Sequence, residues 1–336
     1  MKNVLVDADL GPAGLERLRA LPGVAVQTVE HSSKPRALPA ELLRRQHVLV
    51  CKRPPTNFDD LSALELMQLT TVGYEHLRDL GLADKPAHVC NARGIFDTGI
   101  AEWNLAMMVN LARDLRGMIR NQESAKWDRP PRFQQEVRGR TVGLWGYGGI
   151  GRETARLAKA FGLTVHVLSR FGVGPRRDHY FQPGTGDPEG VLPDRVFTAG
   201  RELEFLAGLD FLVLALPHTQ RTTGLVGVKE LQALPRSAFV LNPARGPIID
   251  EQALLTALRE GWVAGAALDT HFAYPLPPEH SLWRFPNVIL TPHISGADHS
   301  KDFPARMGEL FVQNVERHLA GRPLLNVVTA EEWREA

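Results

Sequence analysis

Cysteine is nearly missing: the 336 residues hold only Cys51 and Cys90, without CxxC spacing. That excludes a disulfide framework and fits a reducing compartment, with both thiols expected buried at strand ends. Charge of either sign is not in excess. Lys and Arg number 39 against 38 Asp and Glu, a formal net charge of +1, so no global field draws the chain to nucleic acid or to an anionic membrane. Any charged ligand must therefore be met by local groups. Long apolar runs are missing too, since none approaches the ~20 residues of a membrane span. The opening MKNVLVDADL reads as a strand followed by acids, not as a signal peptide, and the location expected is cytoplasmic. Metal-ligand spacing is absent as well: His271, His280, His293 and His299 cluster in sequence, but no HxxxH pair or Cys/His set gives zinc spacing, and no metal site is expected.

What is present is 43% hydrophobic and 23% charged content over a length suited to two domains. Short β-branched runs alternate with helical periodicity. NVLVDAD, VAVQTV, HVLVC, LMQLTTV and AHVCN read as strands, with GLERLRAL, ALPAELLRRQ and DDLSALELM as the helices between them. A long helix, apolar over much of its circumference, is expected from about Thr98 to Gln122; such a helix is buried between domains or against another subunit. From Thr141 the alternation restarts as a complete βαβαβ series, running from TVGLWG to NVILTPH. The pattern predicts an α/β protein of two doubly wound parallel-sheet domains. The final helix and PLLNVV add no evident strand to the second sheet, so the first domain is expected to be discontinuous. Its expected extent is 1–99 plus 302–336, with 100–301 as the dinucleotide-binding domain. The segment from Arg170 to Gly200 is about twice the length of an ordinary loop. It reads as a cover for the adenosine end of a cofactor or as a surface insertion.

Three motifs carry chemistry. Gly146-Tyr147-Gly148-Gly149-Ile150-Gly151 directly follows an apolar strand and opens a helix, the context in which glycines admit a pyrophosphate to a helix N-terminus. The next strand ends at Ser169 and Arg170, where an enzyme selecting NAD places an acid for the ribose 2′-OH. NADP is therefore favoured over NAD, missing repulsion counting as much as added attraction. The other reading makes Arg170 an exposed loop residue stacked on adenine, which leaves NAD usable. In LNPARGPIIDEQAL, Arg245 sits where a strand gives way to a helix and could fork its guanidinium onto a carboxylate. In TPHISG, His293 ends a strand on the same sheet edge and has the side chain suited to general acid catalysis near neutral pH. Arg as anchor, His as proton carrier and a nicotinamide as hydride source make a hydride-transfer site.

GYGGIG, NPARG, AALD and TPHISG in this order, with GIAEWNLAMMVNLAR ahead of them and AGRPLLNVV behind, resemble the D-isomer-specific 2-hydroxyacid dehydrogenases, in particular their glyoxylate/hydroxypyruvate reductase-like branch. The resemblance covers nearly the whole chain. It implies a flavodoxin-like substrate domain and a Rossmann domain with the active site in the cleft between them. It also implies a homodimer built on the long helix, and hydride exchange between NAD(P)H and a small 2-keto or 2-hydroxy acid. By the same resemblance Arg245 binds the substrate carboxylate and carbonyl, and His293 is the acid/base. Asp269 holds the nicotinamide carboxamide, and Thr98 lies near the nicotinamide. Leu216, Pro217 and Thr222 form the adenine-side loop, while Ala244 and Gly296 join the cofactor contacts. Backbone N–H groups around Val72, Gly73 and Tyr74 take the other end of the carboxylate, and Trp127 matches an aromatic near the substrate pocket.

One departure stands out. The family pattern has a Glu that hydrogen-bonds the catalytic His, and the ungapped LDTHFAYPLP puts Tyr274 in its place. A carboxylate partner fixes the imidazole tautomer and raises its pKa, whereas a neutral phenol accepts a hydrogen bond without adding charge. Three readings follow. A His293–Tyr274 pair works with a lowered acid limb; or Glu279 supplies the missing charge; or the chain has left hydroxyacid chemistry, for another anionic hydride donor or for nucleotide-dependent binding with little turnover.

Overall fold

The structure is a computed structural model that describes residues 1–336 apart from 33, 81–85, 171, 178, 330, 331 and 333–336, and apart from the side chains of 75, 78 and 79. Along the chain run β1 (Lys2–Asp7), α1 (Gly11–Ala20), β2 (Val24–Thr28), α2 (Ala40–Leu43), β3 (Val48–Cys51), β4 (Leu66–Leu69) and β5 (His88–Cys90). Next come α3 (Asp97–Ala112), α4 (Leu115–Glu123), β6 (Thr141–Trp145), α5 (Gly149–Ala160), β7 (Thr164–Leu168), β8 (Arg195–Phe197), α6 (Glu202–Leu206) and β9 (Phe211–Leu214). The remainder is α7 (Val228–Ala233), β10 (Phe239–Asn242), α8 (Glu251–Glu260), β11 (Gly265–Leu268), β12 (Val288–Leu290) and α9 (Phe303–Leu319). The chain divides into two units: Met1–Ile95, Arg177–Gln182 and Asp298–Ala336 form the first, Phe96–Arg176 and Pro183–Ala297 the second.

In the first unit five parallel strands lie in the order β2-β1-β3-β4-β5, the flavodoxin-type winding. The sheet core gathers Leu5, Leu49, Met67 and Leu69 with Leu43 and Leu77. Helix α9 joins this unit because its Met307, Leu310, Phe311 and Val315 are buried there, and because α1 meets it on bare backbone. A Cβ added to Gly14 would lie 2.8 Å from the Gly308 Cα, so no larger residue fits that crossing. The tail after α9 pairs antiparallel at Val327 and Cys90, and the Val328 N–H donates to the Val89 carbonyl at 2.8 Å. Cys51 and Cys90 close their strands, buried and unpaired. Burial pushes the Cys51 thiol far up and the Cys90 thiol up to about 12, so both stay protonated and inert.

In the second unit seven parallel strands take the order β12-β11-β10-β9-β6-β7-β8. Winding runs outward from β6 in both directions, so the order reverses between β6 and β9, the switch point at which such sheets collect ligands beyond their carboxyl ends. Leu212 and Leu214 face one apolar layer, Phe211 and Val213 the other. With both faces covered, the strand sequences lose alternation and read as continuous apolar runs.

Several local expectations need correction. DDLSALELM is not a helix. Only a single 3-10 turn forms at Phe58–Asp60, because the Glu65 and Leu66 N–H groups both donate to His47 and draw the rest of the run into β4 pairing. ALPAELLRRQ gives helix over Ala40–Leu43 alone, since His47 already donates to Asn3 at the start of the β3 ladder. The helix expected from Thr98 to Gln122 is two helices: Asp114 adopts a left-handed φ of 47° and caps α4 by accepting the Gly117 N–H at 3.1 Å. β8 is an edge strand inside the stretch read as insertion, too short to give a periodic signal. Residues Arg177–Gln182 of that stretch, assigned from sequence to the second domain, belong to the first unit. There Tyr180 is buried; its N–H donates to Asn326 and its hydroxyl to Glu309 at 2.7 Å. Among the described residues no helix is long and apolar enough to cross a membrane.

Candidate active site

The fingerprint turn follows β6 directly. Gly146 has a φ of 106°, and a Cβ there would overlap the Ala215 carbonyl after β9, while one on Gly151 would overlap the Gly146 carbonyl. Glycine is therefore required at both positions for the strand, the turn and α5 to close up. Gly148 differs. Among the described residues only Arg176 Nη1, at 3.5 Å, lies within 4 Å of a Cβ placed there, so the backbone faces open space. The first N–H groups of α5 have no acceptor within their own helix and point the same way. A bare backbone beside unsatisfied N–H groups at the positive end of a helix is a cradle that fits a dinucleotide diphosphate.

At the far end of the sheet, the turn after β12 is held from below. Asp269, just beyond β11, is fully buried; its carboxylate accepts the Thr291 hydroxyl at 2.5 Å, the Ile294 N–H at 2.9 Å and the Ser295 N–H at 2.9 Å. Trp103 of α3 donates its indole N–H to the same Thr291 hydroxyl at 3.1 Å. His271 lies 2.8 Å through Nε2 from the Thr291 carbonyl, which makes Nε2 the protonated ring nitrogen. These contacts fix a turn in which His293 is exposed, with a left-handed φ of 57° and its N–H donated to Thr291 at 3.0 Å. Such a φ is uncommon for a residue with a side chain and persists where surrounding bonds impose it.

Arg245 leaves the end of β10 in extended conformation, half-buried. Asn242 shapes its loop, donating through Nδ2 to the Arg245 carbonyl at 2.8 Å and accepting the Ala244 N–H at 3.1 Å. Gly246 brings this loop against the β11 exit, since a Cβ there would overlap the His271 carbonyl. Tyr274 stands between the two loops: its ring centroid is 5.6 Å from that of His293, and its hydroxyl accepts the His271 N–H at 3.3 Å. Burial raises the Tyr274 pKa, opposed in part by the His271 N–H and the nearby Arg245 cation, so the side chain is a neutral phenol at physiological pH. Arg245, Asp269, Tyr274 and His293 thus gather at one sheet edge.

The first turn of α3 reaches both ends of this edge. The Asp97 carboxylate lies on Gly149, where any Cβ would overlap it; a Cβ on Gly99 would sit 3.1 Å from the Ser295 and Gly296 carbonyls. Between them the Thr98 hydroxyl is buried without a hydrogen-bond partner among the described residues. Leu216 comes within 3.1 Å of a Cβ placed on Gly146, and the Thr222 hydroxyl donates to Pro217 at 2.8 Å, closing the loop beyond β9. Ser169, just past β7, donates its N–H to the Phe197 carbonyl at 3.0 Å, and Arg170 is exposed. Val72, Gly73 and Tyr74 belong to the first unit; Asn91 donates to the Val72 carbonyl at 3.0 Å, and Tyr74 is part of that unit's core. Trp127, after α4, is 90% exposed. Among the described residues no group of three or more His, Cys, Asp or Glu is arranged to hold a metal ion.

Sequence reading missed three contributors. From sequence His271 reads only as a candidate metal ligand, Trp103 only as part of an apolar helix, and Asp269 only as a cofactor contact. Each acts on the turn carrying His293. The spacing of Asp269 and His271, two residues apart at a strand exit, was the one legible signal.

Comparison with known proteins gives the family and the fold. Residues 105–295 match the family model described as D-isomer specific 2-hydroxyacid dehydrogenase, NAD binding domain. A glyoxylate reductase of Thermofilum pendens is 32% identical over 262 residues, 77% of this chain and 73% of the relative. A solved D-isomer specific 2-hydroxyacid dehydrogenase family protein from Aeromonas salmonicida is similar at 28% identity and a TM-score of 0.78, over 98% of this chain and 99% of that one. A further solved structure, a D-isomer specific 2-hydroxyacid dehydrogenase from Xanthobacter autotrophicus in complex with NADPH and MES, gives 27% identity and a TM-score of 0.76, with 98% and 99% covered.

Proposed function

The chain belongs to the D-isomer specific 2-hydroxyacid dehydrogenase family, and on that premise we propose that Arg245 binds the carboxylate of a short 2-keto acid while His293 delivers a proton to its carbonyl oxygen. The overall activity is that of an NAD(P)-dependent 2-hydroxyacid dehydrogenase. When bound, the nicotinamide cofactor supplies the hydride.

The reading rests on the bonds from buried Asp269 to the 291–295 turn, which hold His293 beside Tyr274 and within the same group as Arg245. A fork of guanidinium N–H groups matches a carboxylate in geometry and charge, and it fixes the 2-carbon relative to the imidazole. Reduction needs His293 charged beforehand and neutral afterwards; oxidation needs the reverse. Tyr274 orients the ring without adding charge, so keto-acid reduction is favoured toward lower pH. Fingerprint backbone, Thr98 and the loop at Leu216 and Pro217 hold the dinucleotide. NADPH is the preferred form, supported by Ser169 and Arg170 at the end of β7 and by the NADPH bound to the Xanthobacter relative. Short substrates of the glyoxylate kind are supported by the Thermofilum relative, a glyoxylate reductase. Exposed Trp127 and Ile119, in consecutive segments after α3, support a homodimer, which light scattering would measure.

The test is a steady-state screen of short 2-keto acids with NADPH and NADH in parallel. Arg245→Ala and His293→Ala should each lower kcat/KM by about a hundredfold or more. Undiminished turnover in either variant removes that residue from its role.

A further inference from the structure

The segment between β7 and β8 is a built part of the second unit on its Pro183–Arg195 side. Asp187 is 3% exposed and accepts four hydrogen bonds: the Tyr147 hydroxyl at 2.6 Å and the N–H groups of Gly190, Val191 and Leu192 at 3.1, 3.0 and 3.0 Å. Tyr147 is itself the second residue of the fingerprint. Arg152 of α5 donates to the Asp187 carbonyl and, at 2.6 Å, to that of Gly174, while Glu153 accepts the Gly186 N–H at 2.5 Å. Both limbs of the segment are thus fastened to the fingerprint and its helix. The Arg176 N–H donates to Pro188 at 3.0 Å, tying one limb to the other, and the Arg176 side chain reaches Gly148.

Gly148 is where the cradle is open. The adjacent Gly149 carries the Asp97 carboxylate, whose charge offsets the attraction of the α5 N-terminus for an anion. A diphosphate settling on these two glycines therefore needs a cation, and the guanidinium beside Gly148 is placed to supply it.

We infer that Arg176, carried by the segment between β7 and β8, is a dinucleotide-binding residue that contacts the cofactor's diphosphate at Gly148. This deepens the reading of the second unit as a nicotinamide-dinucleotide domain and rests on it. The segment's role is then to deliver a phosphate contact to the fingerprint, distinct from the 2′-phosphate selectivity assigned to Ser169 and Arg170.

Direct binding tests this without turnover. NADH and NADPH are titrated by nicotinamide fluorescence, and AMP, which lacks a diphosphate, by calorimetry, into wild type, Arg176→Ala and Arg176→Gln. Both variants should raise the Kd of NADH and NADPH alike by about tenfold, the loss of one charge-assisted hydrogen bond, and leave AMP unchanged. Equal dinucleotide affinity in wild type and variants overturns the inference. A loss confined to NADPH also overturns it, moving the guanidinium to the 2′-phosphate. Loss of AMP affinity with lowered thermal stability in both variants would make Arg176 a structural residue instead. Failure of wild type to bind either dinucleotide would count against the cofactor reading rather than against Arg176 alone.

Discussion

Two buried aspartates in the second unit do the same physical work in different places. Asp269 accepts three donors from the turn that carries His293; Asp187 accepts four from Tyr147 and from its own loop. A carboxylate out of water is tolerable only when such donors compensate it, and each donor in turn depends on the charge. One holds a proton carrier at a sheet edge, the other holds an insertion on the fingerprint. Comparing them separates what catalysis requires from what cofactor binding requires.

Breaking the first should cost most. Asp269→Ala leaves the Ile294 and Ser295 N–H groups without their acceptor and frees the turn. Chemical denaturation should show a loss of about 3 kcal/mol. Misplacement of His293 should lower kcat by about a hundredfold. Retained kcat would mean that His271 and Trp103 alone hold Thr291 in place. Asp187→Ala comes next. A loss of about 2 kcal/mol is expected, with the kinetic effect in the cofactor KM rather than in kcat; an equal fall in kcat would erase the distinction between the two sites. Burial alone would push the Asp187 carboxyl up, but the Tyr147 hydroxyl and the Leu192 and Val191 N–H groups more than offset it and hold the pKa below the usual range. A depressed folded pKa stabilises above the unfolded value of about 3.9 and loses that contribution as pH falls through the folded value. The stability gap between wild type and Asp187→Ala should hold across neutral pH and close only in strong acid.

The difference between the aspartates is also one of legibility. Asp269 stands in AALD, a strand exit inside a recognisable series of motifs, and the two winding orders follow from alternation that is plain in the sequence. Asp187 sits in TGDPEG, where turn residues announce a loop and nothing announces its partner forty positions earlier at Tyr147. Helix boundaries failed where a local bond competed with periodicity, as at Asp114, or where strand pairing captured a helix-like run, as at Glu65 and Leu66. Arg245 and His293 were readable because each stands at a strand end in a motif. Asn242 and His271, which shape the loops around them, work through backbone contacts that residue type does not reveal.

Tyr274→Glu sharpens the comparison on the catalytic side, with a smaller effect. It sets a carboxylate beside the His293 ring, and a close opposite charge favours the imidazolium. The pH above which keto-acid reduction declines should move up by about one unit, roughly 1.4 kcal/mol. An unmoved profile would show that Tyr274 is not electrostatically coupled to His293, despite ring centroids 5.6 Å apart.

The smallest effect is expected at Asp97, where the two halves of the site meet. Its carboxylate lies on Gly149 at the α5 N-terminus and itself occupies the first turn of α3. Both helix ends favour a negative charge, so Asp97→Asn should cost stability of about 0.3–1 kcal/mol. The same charge opposes an incoming diphosphate, so NADH and NADPH should each bind about twofold to fivefold more tightly to the variant. Asp97 is buried, and added salt screens exposed charges more than buried ones, so most of the gain should persist as ionic strength rises. Weaker binding in Asp97→Asn would instead make the carboxylate a positioning group for the fingerprint, acting there as Asp269 acts on the turn that carries His293.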